Sequence, residues 1–129
     1  MVQSRIPHVL VVDNEPAVGR LISFALRERG WETETASDGV EGLAKALDLL
    51  PDLIISDIEM PRMSGLNLLR EIRHNISLST TPVIMMSAGG IERQEESREY
   101  GANAFFSKPF AILALCEAVE KVMKGEQLL

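Results

Sequence analysis

A single cysteine, Cys116, stands in a chain of 129 residues, so no internal disulfide framework is available and a reducing compartment suits the composition. The two histidines, His8 and His74, have no companions at metal-ligand spacing, which argues against a zinc-type centre. Positive charge is short as well: 13 Lys and Arg face 19 Asp and Glu, for a net charge of -6, and an acidic domain is a poor non-specific ligand for nucleic acid. No apolar run approaches the roughly 18 residues of a membrane span. Residues Met1 to Pro7 lack the apolar stretch of a secretory signal. Repeats, low-complexity tracts and internal linkers are missing too. What is present is an apolar fraction of 46% beside 25% charged residues, the balance of a globular domain. A length near 130 leaves no room for two ordinary domains and suffices for a core without staples. The expectation is one cytoplasmic domain over residues 1–129, structured from about 7 to 124 with short tails.

Short apolar runs alternate with helical patterns. His8-Val9-Leu10-Val11-Val12 stops at Asp13-Asn14-Glu15-Pro16, and a β-branched run bounded by polar residues suits a strand buried on both faces. Pro16 fits a first helical turn, where its missing N–H costs nothing; Val18, Leu21, Ile22, Ala25 and Leu26 follow at helical spacing until Gly30. The cycle then repeats. A strand near Glu32–Ala36 precedes a helix opened by Ser37-Asp38-Gly39, whose apolar face is expected to be Val40, Leu43, Ala44, Leu47 and Leu50. Leu53-Ile54-Ile55-Ser56 ends at Asp57, and a helix with Leu66, Leu69 and Ile72 follows, capped by Ser64. Pro82–Met86 is a fourth strand, Ile91–Tyr100 a strongly polar helix, and Ala104–Ser107 a fifth strand. The last helix carries Ile112, Leu115, Cys116, Val119, Val122 and Met123 on one stripe. Five strands alternating with five helices imply an α/β fold, a parallel sheet covered on both faces and joined by right-handed crossovers. Ligands of such sheets bind beyond the carboxyl ends of the strands.

At that edge the first strand ends in Asp13, the third in Asp57, the fourth in Ser87-Ala88 and the fifth in Lys108-Pro109. Two carboxylates about 4 Å apart repel by roughly 4 kcal/mol at an effective dielectric near 20. Such a pair needs either a shifted pKa or a cation. Hard oxygen ligands at a partly open edge suit Mg²⁺, which keeps several waters and tolerates one or two carboxylates. With the ammonium of Lys108 and the hydroxyl of Ser87 placed to meet an added anion, the set suits phosphoryl chemistry on a carboxylate, with Asp57 as nucleophile.

These stretches resemble the receiver domain of two-component response regulators, the family that includes the chemotaxis receiver. Val11-Val12-Asp13-Asn14-Glu15-Pro16, Asp57-Ile58-Glu59-Met60-Pro61-Arg62-Met63-Ser64-Gly65, Met86-Ser87-Ala88 and Phe106-Ser107-Lys108-Pro109-Phe110 stand in the family's order and spacing and span essentially the whole chain. The resemblance implies a doubly wound, flavodoxin-like (βα)5 sandwich of three layers with strand order 2-1-3-4-5. It implies that Asp57 accepts phosphate from a sensor histidine kinase or phosphotransfer protein. Asp13, Asp57 and the backbone carbonyl of Glu59 would hold Mg²⁺ or another divalent cation such as Mn²⁺. Ser87 would be the switch hydroxyl, Lys108 the phosphate-binding cation and Phe105 the aromatic switch, and Lys108-Pro109 matches a bond commonly cis in the family. The helix 4–strand 5–helix 5 face would meet an output domain or target protein, and pairing of two copies through it is left open. Glu59 and Gly89 would flank the attack path.

One residue departs from the pattern. The family's acidic pair after the first strand is Asp13-Asn14 here; Asn14 offers a carbonyl oxygen, directly or through water, but one negative charge fewer. It is the feature that favours an alternative reading, a degenerate receiver working as an interaction module. An aspartyl-phosphate phosphatase, the other alternative, normally has a second aspartate two residues after the nucleophile, where Glu59 stands, and the chain has no inserted cap region. The remaining polar residues have plainer readings: Glu15 as a first-turn acid, Asp38 and Asp52 as cap and turn residues. Met60, Met63, Met85 and Met86 read as gap fillers, Phe106 as core, and Cys116 as an inert buried thiol.

Overall fold

The computed structural model describes residues 6–129. The strands are β1 (His8–Val12), β2 (Glu32–Ala36), β3 (Leu53–Asp57), β4 (Val83–Ser87) and β5 (Ala104–Ser107). The helices are α1 (Pro16–Glu28), α2 (Gly39–Leu49), α3 (Gly65–His74), α4 (Ile91–Glu99) and α5 (Ile112–Met123). All strand pairings are parallel, and the sheet runs β2-β1-β3-β4-β5, as expected. The fourth strand sits one residue later than the pattern suggested, because Pro82 has no N–H for the ladder.

Alternation along each strand divides the core. Val9, Val11, Ile55, Ile84 and Met86 face α1 and α5, where Ile22, Leu26, Leu115, Cys116, Val119 and Val122 cover them. Leu10, Val12, Ile54 and Met85 face α2 and α3, against Ala46, Leu68, Leu69 and Ile72. Cys116 is buried as expected, and that burial pushes its thiol pKa up. The caps are also where expected: the Asp38 side chain accepts the Glu41 N–H at 2.8 Å and Ser64 accepts that of Asn67 at 3.2 Å. Glu41 in turn accepts the Ser37 N–H at 2.6 Å, so the start of α2 is satisfied reciprocally.

The expected face of α2 needs correcting. Of the expected residues Leu43 packs against the core; the helix otherwise buries Gly39, Gly42 and Ala46, whereas Ala44 is exposed and Val40, Leu47 and Leu50 are 42%, 45% and 52% exposed. Close approach explains this: a Cβ on Gly42 would lie 3.0 Å from Val12 Cγ2, so small side chains let the helix rest on the sheet and turn the bulkier ones outward. Leu50 lies beyond the helix in a left-handed cap, φ 48°. The C-terminal tail expected after residue 124 is tied down, with the Leu128 N–H on the Asn103 carbonyl at 2.8 Å and Gln127 Nε2 on that of Ala102 at 2.8 Å. The expected N-terminal tail lies, apart from Ile6, outside the described residues. Among the described residues, no helix is long and apolar enough to cross a membrane.

Gly65 opens α3 directly over the third strand: a Cβ there would sit 2.0 Å from the Asp57 carbonyl oxygen. Gly65→Ala should therefore cost about 1–3 kcal/mol by overpacking, while Leu47→Lys on the outer face of α2 should stay within about 0.5 kcal/mol. Urea midpoints of the two variants check both, and a large loss in Leu47→Lys would contradict the burial assigned to α2.

Candidate functional site

Strand register assembles the site. Val12 pairs with Ser56, so the next residues, Asp13 and Asp57, come side by side at the carboxyl edge. Ser87 pairs with Ser107, which brings Lys108 to the same edge, and the Lys108 N–H donates to the Ser87 carbonyl at 2.8 Å. Asp13 and Asp57 are 3% and 4% exposed and Ser87 is fully buried. The peptide bond between Lys108 and Pro109 is cis.

Lys108 Nζ lies 3.1 Å from Asp13 Oδ2, 3.4 Å from Asp57 Oδ2 and 3.8 Å from Glu15 Oε1. The remaining oxygens are held by backbone: Asp13 Oδ1 accepts the Glu15 N–H at 2.8 Å and Asp57 Oδ1 accepts the Ile58 N–H at 3.0 Å. Above them opens a cleft of about 510 Å³ whose walls include Asn14, Glu15, Asp57, Glu59, Arg93 and Lys108. With Asp13 beneath, four carboxylates share the site with two cations.

Burial, and then the charge of Asp13, raise the Asp57 pKa from 3.8 to about 6 against the opposing pull of Lys108. Burial alone would lower the Lys108 pKa; its hydrogen bond to Asp13 and the charges of Asp57 and Asp13 outweigh that and hold it above the ordinary value. One ammonium therefore does not neutralise the edge. An all-oxygen donor set with surplus negative charge fits a hard divalent cation. Among the described residues no group of three His, Cys, Asp or Glu side chains converges as a metal cage. Asp13, Asp57, the Glu59 carbonyl and the Asn14 amide oxygen are the groups that could hold such a cation.

Of the candidate site residues, Asp13, Asn14, Asp57, Glu59, Ser87 and Lys108 thus stand at one edge and Phe105 does not. Phe105 is half-buried on the α3 side of the sheet. Phe106 alternates to the opposite face and meets Phe110 edge-on at 5.5 Å. Glu15 departs from its plain reading: it precedes α1 without a side-chain capping bond and turns its carboxylate toward Lys108. Sequence reading passed over Arg93 and, although it set Glu59 beside the attack path, did not foresee the contact of the Glu59 carboxylate with Ser87. Ser87 Oγ donates to Glu59 Oε2 at 2.8 Å, and Arg93 Nε pairs with that oxygen at 3.3 Å. The available signal was an acid two residues after Asp57 and a base in the first turn of the polar helix after Ser87.

The family model for the response regulator receiver domain matches residues 9–120. Protein PilG of Pseudomonas aeruginosa is 34% identical over 113 residues, 87% of this chain and 84% of PilG. The DNA-binding dual master transcriptional regulator RpaA of Synechocystis is 30% identical over 119 residues, 92% of this chain but 49% of RpaA. The chain spans about half or less of several such regulators. The solved structure of the chemotaxis response regulator CheY4 of Vibrio cholerae superposes with a TM-score of 0.86 at 34% identity, covering 92% of this chain and 99% of that one.

The raised Asp57 pKa has a consequence for stability. Below about pH 4 the carboxyl is protonated in both folded and unfolded chains and contributes nothing. Between about pH 4 and 6 the unfolded chain releases its proton first, so stability falls as pH rises, and above pH 6 the full cost is present. About two pKa units correspond to about 3 kcal/mol. In metal-free buffer Asp57→Asn should stabilise the protein by up to that amount near neutral pH, with the gain fading by about pH 4. Paired urea titrations across that range test it, and an unchanged gain at low pH would contradict it.

Proposed function

The chain belongs to the response regulator receiver family, whose general function is phosphorylation on an aspartate, and from that premise we propose that Asp57 is the phospho-acceptor of this receiver. The observation that carries the reading is a buried carboxylate at the end of β3, open to the cleft, with Lys108 Nζ at 3.4 Å and Asp13 beside it. In the reaction a P–O bond forms to the Asp57 carboxylate as the P–N bond of a phosphohistidine donor breaks, and the freed imidazole takes up a proton. Asp13, Asp57 and the Glu59 carbonyl, with Asn14 directly or through water, would hold Mg²⁺ or Mn²⁺, which would supply charge neutralisation for the transferring phosphoryl oxygens. Lys108 binds the product: the phosphoryl group adds about -1.5 to -2 charges and three acceptor oxygens. The backbone N–H of Ile58 keeps the carboxylate oriented.

Ser87 turns the modification into a conformational signal. Its hydroxyl reaches the phosphoryl oxygens when Ala88-Gly89-Gly90 closes, which leaves room for half-buried Phe105 to turn inward and remodel the α4–β5–α5 face. That face is the surface for an output domain or target, with a second copy of the chain another occupant it could take. The donor is a sensor histidine kinase or phosphotransfer protein, and the setting is cytoplasmic. DNA binding is named for RpaA; with a net charge of -6, the domain described here is not the DNA-contacting part of such a protein. The chain is a signalling domain that assists its own phosphorylation, not an enzyme acting on a separate substrate. A receiver that takes no phosphate rests on Asn14 alone, and one experiment separates the two readings.

Incubation with acetyl phosphate and Mg²⁺ should add the mass of one phosphoryl group, lost in Asp57→Asn and on removal of the metal by EDTA. Lys108→Ala should slow labelling by roughly a hundredfold. Equal labelling of Asp57→Asn, or none of the wild type, would overturn the assignment. Asn14→Asp should tighten Mg²⁺ binding several-fold through its added charge, read by calorimetric titration; no gain would remove this position from the metal site.

A further inference from the structure

Ser87 Oγ carries one proton and is fully buried. It spends that proton on the Glu59 carboxylate, at 2.8 and 3.0 Å from the two oxygens, while itself accepting the Gly89 N–H at 2.9 Å. The same carboxylate accepts the Ala88 N–H at 3.4 Å and pairs with Arg93 Nε at 3.3 Å. A hydroxyl, a backbone N–H and a guanidinium thus converge on one anion, in the wall of the cleft that holds Asp57 and Lys108. The anion belongs to the chain itself. Gly89 favours the arrangement, since a Cβ there would lie 2.5 Å from Arg93 Cγ and 3.2 Å from Ser87 Oγ, so that any larger residue would require the arginine or the loop to shift.

Accepting Asp57 as the phosphorylated residue, we infer that Glu59 is a built-in competitor for the phosphoryl group, filling in the resting protein the anion cradle of Ser87, Ala88 and Arg93, and that its displacement hands Arg93 to the phosphoryl oxygens as a second cation beside Lys108. A single hydroxyl proton cannot serve two acceptors, and two anions in a half-buried cleft repel. Arg93 carries the exchange into α4, where it also pairs with Glu96 and its carbonyl accepts the Ser97 hydroxyl at 2.7 Å. Ser97 is the one residue this helix buries, so the ionic tie from Arg93 to the loop after β3 weighs heavily in its position.

The test is a calorimetric titration of the intact chain with beryllofluoride and Mg²⁺. Glu59→Ala should bind beryllofluoride roughly three- to tenfold tighter than wild type, Arg93→Ala weaker by a similar factor, and Arg93→Ala should cost that factor again when added to Glu59→Ala. Glu59→Gln, which keeps an acceptor for Ser87 but loses the charge, should fall between wild type and Glu59→Ala. Glu15→Gln removes another carboxylate of the cleft that does not touch Ser87 and should gain less. Unchanged or weaker binding in Glu59→Ala, an equal gain in Glu15→Gln, or no cost of Arg93→Ala once Glu59 is gone would each overturn the inference. Wild-type protein that binds no beryllofluoride, or binds it as well as Asp57→Asn does, would instead defeat the phospho-acceptor reading. The resting contact is judged apart from any ligand: amide exchange over residues 88–99 should quicken in Glu59→Ala without beryllofluoride, and unaltered exchange there would overturn it.

Discussion

Two carboxylates buried side by side form the constraint from which the rest follows. Asp13 and Asp57 come together because β1 and β3 are hydrogen-bonded neighbours in register, and neither can withdraw into solvent without breaking a strand end. The cost appears in the raised pKa of Asp57 and is offset in part by Lys108, among the described residues the one ammonium within ion-pair distance of both. A site built this way is poised: it holds more negative charge than its own cations neutralise, yet it must accept still more when a phosphoryl group arrives. Any added cation lowers the cost of ionising Asp57, and the added anion needs donors already in place. The strain is local, but the means of relieving it come from four strand ends.

The fold serves that edge by keeping it fixed. β3 and β4 are buried along their whole length, and both faces of the sheet carry a continuous apolar layer. Close approach at glycine pins the loops around Asp57. Gly65 lets α3 begin against the Asp57 carbonyl, where its own N–H donates to Ile58 at 2.8 Å, and Gly39 lets α2 meet Met63. Rigid strands thus present polar loops, a division of labour common in sheets that bind ligands at their carboxyl ends.

Much of this was legible in the sequence. Strand ends could be read because a continuous apolar run buried on both faces must stop where a polar residue is required, and Asp13, Asp57, Ser87 and Lys108 each mark such a stop. Most of the inner face of α2 could not, because hydrophobic periodicity assumes that the bulky side of a helix turns inward, whereas here Gly39, Gly42 and Ala46 are buried and Gly42 lies directly against Val12. Nor could the Glu59–Ser87–Arg93 contact, which joins two loops by side chains whose types are common on any surface; only the fold brings the loop after β3 against the start of α4. Glu15 was misjudged for a related reason. An acid at a helix start has a local partner in the helix dipole, and nothing nearby in the chain announces an ammonium from residue 108.

α4 shows why a weakly anchored element belongs beside this site. A modification shifts an equilibrium only by the difference in its affinity for two states, so a switch of modest input energy needs states separated by a few kcal/mol. A helix with an apolar face seated in the core would be held too firmly to respond. In Ile91–Glu99 the only hydrophobic residue, Ile91, is 73% exposed, and the helix is held through polar contacts at its first turns. Polar contacts of this kind exchange partners at small net cost, since a carboxylate and a phosphoryl oxygen satisfy the same donors. The lack of apolar anchorage and the presence of charged ties are therefore two sides of one requirement of the proposed switch: an element that is to read the state of Asp57 must be fastened by interactions that a phosphoryl group is able to compete for.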